Sequence, residues 1–203
     1  MRTFLRLGLA AILAALGPLG CATVAPNLWW MMKGDVASHP APSSPPGMAT
    51  VVFFVADERS FGFGDPTDAF FVIDEKGQLL GALKWGSWFA AQLPPGEHAF
   101  FEWDPYVGKL FASPIDAAAK GTLSAGATYW VQITTKPRPF YQSAVLPHFN
   151  PVAGGADVVA GLQSLAIDPS ARAEWESIHA ADVRTLVAAG KKKIDQRECS
   201  LLR

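Results

Sequence analysis

The side chains able to do chemistry are few and scattered. Histidines stand at 39, 98, 148 and 179, and cysteines at 21 and 199. A zinc site needs several such ligands at short fixed spacings. The two cysteines do not provide them, and no His-Glu-x-x-His run occurs. Serine nucleophiles on an elbow follow Gly-x-Ser-x-Gly, and Gly86-Ser87-Trp88 lacks the second glycine. Gly62-Phe63-Gly64 is not a dinucleotide fingerprint, because Pro66 and a strand follow where a helix should open. Phe61 and Phe63 read first as aromatics pinning that loop, and second as ligand contacts. The best polar constellation is His98 with Glu102 and Asp104. His98 and Glu102 share strand parity, so they face one side about 13 Å apart along the strand, too far for a shared site. The expectation is no catalytic residue, no metal site and no cofactor.

The elements that must position these residues are mostly strands. In the stretch from Asp65 to Trp103, apolar runs of about five residues alternate with turn chemistry, the pattern of an antiparallel meander. Gly77 suits the first turn, and Pro94-Pro95-Gly96 makes another. Ala49–Ala56 is apolar on both faces, which predicts a central strand covered on both sides. Asp104–Phe111 reads as a turn and short strand, and Ala119–Ala127 as strand then turn. Thr128–Thr135 alternates most clearly, with Tyr129, Val131 and Ile133 on one face. Gln142–Phe149 is the last strand, and Pro147 places it at an edge or near its end. Asp157–Leu165 reads as a short helix. Asp168-Pro169 then caps a long one, with Trp175, Ile178, Val183, Leu186 and Val187 facing a sheet. Arg172 and Glu176 are spaced to pair on its wet face. Gly190 is expected to end it, with Lys191-Lys192-Lys193 at the negative end of its dipole and a frayed tail containing Cys199. The fold class is therefore mainly β with C-terminal helices: a small antiparallel β-sandwich of about seven to nine strands, with one long amphipathic helix packed on it.

The N-terminus is an address. Arg2 and Arg6 precede an apolar run of ten residues, Leu7 to Leu16, which is too short to span a bilayer of about 30 Å. Gly17-Pro18 breaks it, and Leu19-Gly20-Cys21-Ala22 follows. Small residues leading to a cysteine behind an apolar run resemble the lipobox of bacterial lipoproteins. That family has Leu three residues before the cysteine; here Pro18 holds that place and Leu19 comes one later. The resemblance implies cleavage before Cys21, diacylglycerol on its thiol and an acyl chain on its new amine. It also implies an outer-membrane location facing the periplasm, since Ala22 replaces the aspartate that favours inner-membrane retention. The rivals are ordinary cleavage after Ala22 and an uncleaved helix.

Residues 21–48 read as tether and linker. Asn27–Lys33, with Trp29-Trp30-Met31-Met32, either lies in the membrane interface or folds back on the domain. Ser38–Gly47 is proline-rich and semi-rigid, with His39 solvated in it. The chain then divides into a signal peptide (1–20), this tether (21–48), a β domain (49–150) and a helical segment packed on it (151–203). Half the residues are hydrophobic, with seven Trp and thirteen Phe, enough for a substantial core. Loss of the signal leaves 15 basic against 18 acidic residues, about −3, which argues against nucleic acid as partner.

Phe71 to Asp74, Leu80 to Leu83, Leu93 to His98 and Gly126 to Ile133 together resemble a family of uncharacterised bacterial lipoprotein domains. The resemblance spans Ala49 to Ile133 and implies an exported, lipid-anchored, mostly antiparallel β domain; it transfers no catalytic residue. The functional expectation is a non-catalytic binding or structural module, held to the membrane by diacylglyceryl-Cys21 and contacting an envelope protein or polymer. The alternative is a periplasmic hydrolase or metal-binding protein using His98 and His148.

Overall fold

The computed structural model describes residues 32–35, 42–56, 70–103, 117–138, 141–197 and 199–202, with side chains at all of these except 32–35, 117 and 135–148. Cys21, His39, Asp104 and the expected elements at 57–69 and 104–116 lie outside the described residues. In chain order the strands are β1 (Met32–Asp35), β2 (Ala49–Val55), β3 (Phe70–Asp74), β4 (Leu79–Leu83), β5 (Ser87–Leu93), β6 (Gly96–Trp103), β7 (Ala117–Leu123), β8 (Thr128–Arg138) and β9 (Tyr141–Val152). Then come α1 (Ala156–Val159), β10 (Gln163–Ile167), α2 (Pro169–Asp195) and β11 (Ser200–Leu201).

Two sheets face each other, and α2 packs on one of them, as the sequence predicts. The first sheet has the order β1-β10-β5-β2-β8-β9 and the second β11-β7-β6-β3-β4. Two differences are topological. Three neighbouring pairs are parallel: β2 with β8, β10 with β5, and β11 with β7. The strand count also exceeds nine, because the very short β1 and β11 carry no alternation to read.

β2 is buried along its whole length, as its two-faced apolarity requires. Val51, Phe53 and Val55 enter the core between the sheets. Val52 and Phe54 point the other way, onto Trp88 and Val159 of α1. Phe53 ties the layers together. Its ring lies 5.3 Å from Phe89, 5.3 Å from Phe100 of the opposite sheet and 5.9 Å from Phe149. Such aromatic pairs contribute about 0.5–1.5 kcal/mol each beyond the area they bury.

The expected meander is corrected. β3 and β4 form a hairpin in the second sheet; β5 crosses to pair with β2 in the first; β6 returns to lie beside β3. The corners are glycines with positive φ, Gly86 at +72° and Gly96 at +138°. Gly81 lets β4 and β5 meet face to face across the interior. A Cβ there would lie 2.5 Å from the Phe89 ring.

α2 opens as predicted, with the Asp168 carboxylate accepting from Ser170 N at 3.0 Å and Pro169 in its first turn. Its buried row is Ala171, Trp175, Val183, Leu186 and Gly190. Trp175 stacks on Phe71 at 5.3 Å and meets the edge of Trp103 at 5.5 Å. Four expectations fail here. Ile178 is 67% exposed, because the row advances from Trp175 to His179 and leaves position 178 outward. Gly190 does not end the helix; it is buried within it, and the lysines fall in the closing turns. The helical cost of one glycine, about 1 kcal/mol, is small beside that packing. Arg172 and Glu176 do not pair with each other. Leu79 N donates to Glu176 Oε1 at 3.1 Å, and Arg172 Nη2 donates to Leu80 O at 3.5 Å, so the helix clamps the otherwise bare edge strand β4. The tail is not frayed: β11 pairs with β7, Leu202 is buried over Gly121, and Cys199 packs at the rim of the helix-facing core.

Of the helix expected at Asp157–Leu165 only α1 forms, and Gln163–Ile167 becomes a strand between β1 and β5. β9 is an edge strand, as Pro147 implies. Pro147 faces Thr135 and Pro151 faces Val131 across the ladder. Proline has no N–H to give, so these are non-hydrogen-bonded positions whose backbone points away from β8. Phe149 has the same parity, and its carbonyl accepts from Ser200 Oγ on that outer side. The free edge of β9 thus lacks two donors.

Gly81→Ala should lower the unfolding free energy by about 1–3 kcal/mol through overpacking against Phe89. Gly161→Ala, where the added methyl meets nothing, should stay within about 0.5 kcal/mol of wild type. Denaturant melts of both variants check this, and equal midpoints would contradict the close approach of the two sheets.

Candidate functional site

The inner face of the second sheet carries the polar groups the sequence singles out. β6 alternates, so His98, Phe100 and Glu102 point between the sheets while Phe101 and Trp103 point toward α2. The shared face of His98 and Glu102 is borne out. That face is the interior rather than solvent: Glu102 has no exposed surface and His98 is 9% exposed. The Phe100 ring lies between them in sequence and stacks on His98 at 6.3 Å.

His98 is held by two turns. Its Nε2 lies 2.9 Å from the carbonyl of Pro94. A carbonyl only accepts, so Nε2 carries the hydrogen. Nδ1 faces Glu75 Oε1 at 3.6 Å. The other oxygen of Glu75 accepts from Ala99 N at 3.2 Å. The imidazole thus braces the Pro94-Pro95-Gly96 corner against the β3–β4 hairpin. His148 sits on β9, opposite Thr134, in the other sheet. The structure does not bring the two histidines onto one strand or one sheet.

Asp74 is a polar residue that sequence reasoning missed. Its Oδ1 accepts from Lys76 N at 2.9 Å and Gln78 N at 2.7 Å, closing the hairpin turn at Gly77. The available signal was an Asp three residues before a turn glycine, a common local cap. Burial pushes the Asp74 carboxyl above its ordinary value, with the two backbone N–H groups opposing that shift. Ser87 is spent in the same manner: its Oγ donates to Lys84 O at 2.7 Å and accepts from Lys84 N at 2.9 Å. His179 lies between Trp103 and Trp175, with ring centroids at 5.0 and 4.9 Å, at the seat of α2.

Among the described residues no group of three or more histidine, cysteine or acidic side chains is placed to hold a metal ion. An open cleft of about 730 Å³ lies where the start of β8 and the end of β9 meet the C-terminal tail. Tyr129, Trp130, Val152, Leu201 and Leu202 line it. The Tyr129 hydroxyl accepts from Ser124 N at 2.9 Å and reaches Thr122 O at 3.3 Å. The walls suit an apolar or aromatic group, and their polar handle is engaged in the fold. The sequence flags Tyr129 only as core; Leu201 and Leu202 enter the cleft solely because the tail docks. Comparison with family models, with curated proteins and with solved structures finds no match for this chain.

The raised Asp74 carboxyl makes a pH prediction. A group that binds its proton more tightly folded than unfolded adds stability below its unfolded pKa, and that stability is lost as pH rises through the folded value. Asp74→Asn keeps an Oδ1 acceptor for both N–H groups without the charge. Wild type should therefore gain stability relative to Asp74→Asn as pH falls from 7 toward 4. Asp74→Ala should lose about 0.5–1.5 kcal/mol throughout, since the backbone N–H groups of Lys76 and Gln78 lose their acceptor. Urea melts across that range test this; a wild-type minus Asn difference that shrinks on acidification would refute it.

Proposed function

We propose that this chain is a lipid-anchored protein of the bacterial cell envelope, non-catalytic, whose sandwich binds or holds another envelope component. The observation that carries it is the run of two arginines, ten apolar residues and Leu19-Gly20-Cys21-Ala22 at the start of the chain. Diacylglycerol on Cys21 supplies the anchoring that a short apolar segment lacks, and a second acyl chain makes it firm. Ala22 points to the outer membrane, with the domain in the periplasm. The partner is an envelope protein or polymer, met through the cleft beside Trp130 or through a sheet edge.

The non-catalytic half of this reading draws on how polar side chains are used. His98, Asp74, Ser87 and Tyr129 each satisfy a backbone group at a turn or corner. His98 and Asp74 are moreover buried away from solvent, whereas a base or nucleophile must present a lone pair to a substrate.

Cys21→Ala should leave the membrane fraction or stall with its signal uncut, while wild type floats with the outer membrane on a sucrose gradient and incorporates labelled palmitate. An unchanged distribution for Cys21→Ala would remove Cys21 as the anchor. The second reading, a periplasmic hydrolase or metal-binding protein, is tested by the double variant His98→Gln, His148→Gln. We expect its metal content to match wild type; a stoichiometric loss of bound metal in the folded variant would favour the second reading.

A further inference from the structure

We propose that β1 is an exchangeable strand: in a dimer of this chain, each copy lays Met32–Asp35 on β10 of the other, in the register seen within one copy. β1 reads Met-Lys-Gly-Asp, and lysine, glycine and aspartate are poor strand formers. Among the described residues it pairs with β10 alone, at the edge of the first sheet. β10 does not depend on β1 for its own place. Gln163 N donates to Gly86 O at 2.9 Å, Leu165 is buried, and Ile167 packs against the helix-facing core. When β1 leaves, a preformed acceptor edge stays behind, matched to a strand already in the chain.

Closing that contact within one copy is geometrically demanding. Asp35, Ser164, Trp88, Phe54 and Gln132 form one row across the first sheet. Asp35 thus lies four strand spacings from β8, about 19 Å. Ser44 is fixed at the start of β8: its Oγ donates to Ala127 O at 2.7 Å and lies 3.2 Å from Thr128 Oγ1. Thr128 precedes Gln132 by four residues, about 13 Å along the strand. The straight line from Asp35 to Ser44 is therefore about 23 Å. Nine peptide links join the two residues, and fully extended they reach about 32 Å. Direction adds to the demand. β5 runs toward Ala49 and Thr128, β10 is parallel to it, and β1 is antiparallel to β10, so β1 runs away from Ser44. The chain must reverse and still cross that distance, with Pro40 and Pro42 restricting its backbone.

A linker favours pairing within one chain strongly only when its relaxed span matches the separation it must bridge. Here the separation and the reversal together take up most of the nine links, so that advantage is small. A β10 supplied by a second copy meets β1 without the reversal, because two domains set their own orientation. Reciprocal exchange closes a two-fold dimer and leaves neither donor strand unused. The other rims are unsuited to adding a strand. Arg172 and Glu176 hold β4, Pro147 and Pro151 interrupt β9, and β11 has two residues. Among the described residues that leaves β10 as the edge where a second copy can add a strand, and β1 as the strand that fits it.

The test co-expresses two epitope-tagged versions of the full chain, both carrying Cys199→Ser. One carries Lys33→Cys and the other Ala166→Cys, positions paired across β1 and β10. Neither version can bridge the two positions within itself. After oxidation with copper phenanthroline, mixed-tag disulfide dimer should form at least fivefold above a collision control with Ala173→Cys, exposed on α2, in place of Ala166→Cys. The Cys199→Ser parent reports any bridge made by Cys21, so the result stands whether or not Cys21 carries lipid. Asp35→Cys with Ser164→Cys repeats the measurement at a second pair. Mixed-tag dimer at the control level, with Lys33→Cys and Ala166→Cys bridging internally when placed in one chain, overturns the exchange and leaves β1 paired within its own copy. Absence of any bridge at both pairs overturns the pairing of β1 with β10, and the exchange with it. Bridges chiefly between two Lys33→Cys copies overturn the exchange in favour of an edge-to-edge contact.

Discussion

The central strand of each sheet, β2 and β3, is largely apolar on both faces, and most of the architecture answers that constraint. β2 and β3 have no side for water: every residue of each is buried. Inner faces meet each other around Phe53. Outer faces need separate cover, because exposed aliphatic and aromatic surface costs about 25 cal/mol for every Å² left in water. The chain after β9 supplies that cover. α1 lies over Val52, Phe54 and Trp88; α2 lies over Phe71, Ile73, Phe101 and Trp103. The C-terminal third is thus part of the core, and Leu202 at its end closes the space beside Gly121.

The same constraint explains what the sequence reveals and what it hides. A doubly apolar Ala49–Val55 announces a covered central strand, and strict alternation from Tyr129 to Ile133 announces an inner and an outer face. Asp168-Pro169 announces a helix start, because capping chemistry is local. Sheet membership is not local. β3, β4, β5 and β6 look like neighbours in a meander, yet β5 belongs to the other sheet. The deciding contact, Gly81 under Phe89, joins two residues that sequence alone gives no reason to pair. Gly190 misleads for a related reason: a glycine reads as a helix end until a buried helical row is known to need it.

The candidate polar site was legible by half. Strand parity correctly puts His98 and Glu102 on one face, but parity cannot say whether that face looks at solvent or at another sheet. Glu75 and the Pro94 carbonyl reach His98 only through the closure of two separate turns. Asp74, Ser87 and His98 sit where the chain turns, and they spend their hydrogen bonds on its backbone. Buried donors and acceptors left unpaired cost about 1–3 kcal/mol each, so a sandwich with many corners needs such residues for its own stability. The cleft beside Trp130 was not legible at all, since one of its walls is a tail that looks unstructured until it docks.

The prolines of β9 bear on how crowded this protein can become. A bare twelve-residue edge would offer any second copy a ready template, and the growth of such contacts is how β proteins polymerise. Pro147 and Pro151 delete donors at intervals along that rim, and Ser200 occupies the carbonyl between them. At the opposite rim of the other sheet, Arg172 and Glu176 cap β4. Copies packed shoulder to shoulder at high local density therefore find, along β9 and β4, edges that offer a second strand few free partners.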